Sequence, residues 1–120
     1  SVTGVQTCAL PICSERLVAL FAASSVACGA FLTAYNPRGA IQSDKANERG
    51  HTELAGKLRE LELQAIEGSG SEEGTDWPAE KSYFAFGLAL EPAKAIGIHF
   101  DQDAIVWVGP DAVPQLILLR

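Results

Sequence analysis

The chain has 120 residues, the size of one domain, and is long enough to bury a core without a metal or disulfide staple. Hydrophobic residues make up 48% and charged residues 20%, which excludes a disordered chain. The balance of 15 acidic against 9 basic residues gives a net charge of −6, and the basic residues are scattered, so a nucleic-acid partner is not expected.

In chain order, residues 1–12 (SVTGVQTCALPI) carry neither helix nor strand period and resemble the translation of a sequencing adapter. The expectation is a non-native tail on a single domain, 13–120, that lacks its natural start. Cys8 and Cys13 match neither a zinc pair nor a C-x-x-C motif, and all three cysteines read as free thiols of a reducing, cytoplasmic compartment. The stretch ERLVALFAASSVACGA has two readings, a secretory signal or a short helix capped by Ser14 with Leu17, Leu20, Phe21 and Ser24 on one face. Cleavage before Cys28 would cut almost into the next strand, so the helix is preferred. No segment is long and apolar enough to span a bilayer, and no membrane partner is expected.

AFLTAYN (30–36) reads as a buried strand that ends at Pro37 and Gly39. Ser43 caps a helix running to about Leu61, with Asn47, His51, Leu54, Leu58 and Leu61 on the core face and Lys45, Glu48, Lys57 and Glu60 opposite. A short strand over Leu63–Glu67 precedes a Gly-, Ser- and acid-rich loop, GSGSEEGTDWP. In SYFAFGLAL, Phe84, Phe86, Leu88 and Leu90 face one way; Tyr83, Ala85, Gly87 and Ala89 form a small-residue face suited to a close helix. Pro92 starts a second helix with Ala93, Ile96, Gly97 and Phe100 inward. AIVWVG is a buried strand, PDAVP a turn and QLILL its hairpin partner.

This order predicts an α/β (α+β) two-layer sandwich. A first helix is followed by a ferredoxin-like strand–helix–strand–strand–helix–strand run and a C-terminal hairpin strand, with the helices on one sheet face.

Four short motifs stand out: Thr33-Ala34-Tyr35-Asn36-Pro37; Asn47 with Arg49; Trp77 with Glu80; and FDQDA, Phe100 to Ala104. In this order they resemble the family catalogued as domain of unknown function 3293, whose pattern is TA(W/Y)NP, Asn-x-Arg, Trp-x-x-Glu and Phe-Gly-Gln-x-Ala. The resemblance spans about residues 14–120 and implies a short bacterial protein, with no activity attached. Asp101 stands where that pattern has Gly, which makes the turn more acidic. The family also carries a strand-bearing segment ahead of the first helix.

Tyr35 and Asn36 stand at the exit of the first strand, opposite Asn47 and His51 near the start of the next helix, with Arg38 and Arg49 close in sequence. Strand exits facing helix starts are where α/β folds bind ligands, and an acidic or carbonyl-bearing guest would suit the arginines. The candidate ligand-binding set is Tyr35, Asn36, Asn47, Arg49, His51, Glu80 and Gln102. Turn asparagines also commonly brace their own loop, and that structural role is favoured for Asn36 and Asn47. No nucleophile accompanies His51, and no phosphate loop or cofactor motif is present. The expected function is a non-catalytic binding or regulatory module for a small polar ligand or a protein partner. The alternative is a small metal-assisted hydrolase using His51 with Glu80, Asp101 or Asp103.

Overall fold

The computed structural model describes residues 26–70 and 80–120, together with the isolated positions Ala19 and Ala22. The adapter-like tail, the helix after Ser14, Cys8, Cys13 and Trp77 lie outside the described residues, as does most of the acidic loop.

The described elements are β1 (Gly29–Leu32), a 3-10 turn (Pro37–Gly39), α1 (Asp44–Glu60), β2 (Ala65–Gly70), β3 (Glu80–Phe86), α2 (Leu90–His99), β4 (Ala104–Val108) and β5 (Pro114–Leu118). They form an α+β fold: one five-stranded antiparallel sheet in the order β2-β3-β1-β4-β5, with two helices packed on it. The five-strand order is not that of a four-stranded ferredoxin-like sheet, while the C-terminal hairpin strand expected from QLILL is present as β5. The turn after Val108 folds the chain back, so β4 is not an edge but carries β5 outside it, from Ala104↔Leu118 to Val108↔Pro114.

Strand alternation sorts the two faces. Ala30, Leu32, Ala85 and Ile105 face the helices and meet Leu54 and Leu58 of α1 and Ala93 and Ile96 of α2. Small residues on β1 and β3 let the helices come close. Gly97 does the same from α2, since a Cβ there would lie 2.7 Å from Ile105 Cγ2. The other face carries Phe31, Phe84, Phe86 and Val108, all buried, with the Phe31 and Phe84 ring centroids 4.6 Å apart.

Local chemistry sets the ends of the helices. Ser43 accepts a hydrogen bond from Ala46 N–H at the start of α1. Both helices stop in the same way, with two backbone bonds closing over a residue in the left-handed region. After α1, Glu62 N–H donates to Arg59 O and Leu63 N–H to Leu58 O, with Glu62 at φ 57°. After α2, Asp101 N–H donates to Ile98 O and Gln102 N–H to Gly97 O, with Asp101 at φ 54°. Leu61 therefore lies past the last helical turn and is exposed, not part of the core stripe.

The left-handed position at Asp101 is one where glycine costs no Cβ strain, and Asp is among the side chains that tolerate it. Asp101→Gly and Glu62→Gly should each raise stability by up to about 1 kcal/mol, read as the midpoint of urea unfolding. An unchanged or lowered midpoint for both would contradict this account of the helix ends.

Candidate functional site

Strand β1 ends earlier than its apolar run because a side chain takes over from the ladder. Thr33 Oγ1 donates to Lys81 O at 2.7 Å and accepts from Tyr35 N–H at 3.1 Å. The chain then turns through Asn36, whose φ of 43° places it in the left-handed region that Asn tolerates.

Asn36 and Asn47 bind each other reciprocally. Asn36 N–H donates to Asn47 Oδ1 at 2.9 Å, and Asn47 Nδ2 donates to Asn36 Oδ1 at 3.1 Å. Gln42 reinforces both acceptors, its N–H reaching Asn36 Oδ1 at 3.0 Å and its Nε2 reaching Asn47 Oδ1 at 2.7 Å. Asn36 Nδ2 donates to Glu80 Oε2 at 2.8 Å, and Gln102 Nε2 donates to Tyr35 O at 3.1 Å. Loop 35–42 is thus tied to α1, to β3 and to the turn after α2.

A second layer lies beside the first. Tyr35 OH donates to Glu48, which also accepts from Lys81 Nζ at 3.2 Å. Burial, and then the bond to Glu48, push the Tyr35 phenol well above its ordinary value of 10.0. The Tyr35 hydroxyl and Lys81 hold the Glu48 carboxyl below its ordinary range. His51 is buried; its ring stacks on Tyr83 with centroids 4.5 Å apart, and its Nε2 meets Glu67 Oε2 at 2.7 Å. His51 Nδ1 is buried with no hydrogen-bond partner among the described residues. Burial, followed by the nearby Glu67 carboxylate, raises the Tyr83 phenol.

Of the candidate residues, Tyr35, Asn36, Asn47, Glu80 and Gln102 join one hydrogen-bonded cluster, and His51 lies against it through Tyr35, the two ring centroids being 6.0 Å apart. Arg49 does not join: it is exposed on α1 and forms no ion pair among the described residues. Arg38 points to Asp101 at 3.5 Å and Asp103 to Arg120 at 2.7 Å, so the two aspartates serve different arginines. Among the described residues no three His, Cys, Asp or Glu side chains converge to hold a metal ion. Cys28 is a free thiol, raised by burial.

Glu48, Gln42, Glu67, Lys81 and Tyr83 were not on the sequence-derived set. Glu48, read as part of the solvated helix face, turns toward Tyr35 and Lys81. Glu67 and Tyr83 are directly opposed in the β2–β3 register, and period-2 alternation places them on the helix side. Their meeting with His51 depends on that register.

The sequence model of a family described as "Protein of unknown function (DUF3293)" matches residues 32–105. No curated protein matches, and no solved structure does. The matched segment contains Tyr35, Asn36, Asn47, Glu80 and Gln102, the residues that meet around loop 35–42.

The raised Tyr35 phenol fixes the sign of an alkaline effect. The folded chain holds the proton above the ordinary phenol value, so this contribution is complete below pH 10.0 and is lost as pH rises through the folded value. Thermal melts from pH 9 to 11 should fall more steeply for the wild type than for Tyr35→Phe. Parallel slopes would contradict the Tyr35–Glu48 link.

Proposed function

This chain belongs to the family described as protein of unknown function DUF3293, and on that premise we propose that it is a non-catalytic binding module. Its polar cluster at the exit of β1 receives a small polar ligand that donates hydrogen bonds. One observation carries the reading. The buried polar residues among those described are Asn36, Asn47, His51 and Ser82, and the first three stand together here. Buried polar side chains are costly and informative where they gather.

The amides of Asn36 and Asn47 satisfy each other and make a rigid floor, as a preorganised site requires. The rim is rich in acceptors. The Glu48 and Glu67 side chains are 48% and 54% exposed and both reach solvent. The acidic or carbonyl-bearing guest suggested by Arg38 and Arg49 gives way to a donor, because Arg38 pairs with Asp101 and Arg49 stands exposed on α1 outside the cluster. His51 supports binding over acid–base chemistry: Glu67 occupies its Nε2, and its Nδ1 is sealed from solvent.

A thermal-shift screen of small amines, amides and guanidines tests the reading. At least one should raise the melting temperature saturably, and Glu48→Gln with Glu67→Gln should weaken that compound about tenfold or more, the cost of losing charged acceptors. The proposal fails if no compound gives a saturable shift, or if the double variant responds like the wild type.

A further inference from the structure

We infer that the groove between the second half of α1 and the end of α2 is a separate site for a small zwitterion, a carboxylate-and-ammonium ligand of amino-acid or dipeptide type. The groove is open to solvent, holds about 560 Å³ and is lined by Glu53, Gly56, Lys57, Arg59, Glu60 and His99. It shares no residue with the Asn36 cluster, so it stands or falls independently of the function proposed above.

Two observations mark it. The first is charge. His99 Nε2 and Glu53 Oε2 meet at 2.9 Å and bridge the two helices across the groove. Lys57, Arg59 and Glu60 form no ion pair among the described residues, although all three line the same space. Two uncommitted cations beside an uncommitted carboxylate complement a ligand bearing both signs. Glu53 and Glu60 oppose a polyanion, while Lys57 and Arg59 oppose a simple cation.

The second observation is Gly56. It sits inside α1, where glycine weakens a helix relative to alanine, yet a Cβ placed there would meet nothing within 4 Å. No packing contact among the described residues requires this glycine. It leaves bare helix backbone as one wall of the groove, and a ligand can lie directly against it.

The test is two-dimensional ¹H–¹⁵N NMR titration of the full chain with alanylalanine, using acetate and ethylamine as single-charge controls. The amides of Gly56, Lys57 and His99 should move saturably with the dipeptide, and either control should bind at least tenfold more weakly. Gly56→Leu should fold and lose the response. Gly56→Ala, the smaller step, should melt at a higher temperature than the wild type and bind more weakly. Lys57→Ala and Arg59→Gln should each reduce affinity about tenfold. The inference is overturned if the dipeptide gives no saturable movement, if acetate or ethylamine binds equally well, or if the Gly56 variants bind like the wild type.

Discussion

The exit of the central strand depends on two buried side-chain amides that satisfy one another. Asn36 takes the left-handed conformation that turns the chain away from β1, and its side chain reaches Asn47 in the first half of α1 and Glu80 at the start of β3. An amide buried without partners would cost several kcal/mol by transfer, roughly 2–7. Here the oxygens and nitrogens at the centre of the turn are paired, so the cost is offset and the loop has one geometry. Removing either amide strands the other. The turn ties the first half of α1 to the end of β1, beside the place where His51 stacks on Tyr83.

The two faces of the sheet work differently. On the helix side, Ala30 and Ala85 keep the surface low, so α1 and α2 pack through Leu54, Leu58 and Ile96. Toward the carboxyl end of β1 that same face becomes polar. There His51, Tyr83 and Glu67 replace the leucines, and Tyr35, Glu48 and Lys81 extend the network outward. The transition from apolar core to polar cluster falls within one helix, between His51 and Leu54, one turn apart. The same α1 continues to the groove beside α2, where Glu53 pairs with His99 while Lys57, Arg59 and Glu60 form no ion pair among the described residues.

Much of the fold was legible in the residues. Ser43 as a cap and the stripe Asn47, His51, Leu54 and Leu58 placed α1 to within a residue at each end, because cap chemistry and 3.6-residue periodicity agree there. The stripe overran at Leu61, since the helix ends on backbone bonds around Glu62 that periodicity does not encode. β1 was drawn too long because an apolar run does not reveal that the Thr33 hydroxyl, not a backbone amide, takes the Lys81 carbonyl. The Asn36–Asn47 core of the candidate site was visible from turn chemistry on adjacent elements. Its acidic rim was not, because Glu48 and Glu67 reach it only through strand register and helix placement. Arg49 illustrates the converse: it is two residues from Asn47, and a helix turns such neighbours to different sides.

The central claim is that Asn36 and Asn47 act as one unit. A double-mutant cycle with Asn36→Gly, which keeps the left-handed turn, and Asn47→Ala measures this directly by urea unfolding. The two substitutions should be coupled by about 1 kcal/mol or more, the double variant losing much less than the sum of the singles. Additivity to within about 0.3 kcal/mol would contradict the account, leaving the turn to hold its shape without the amide pair.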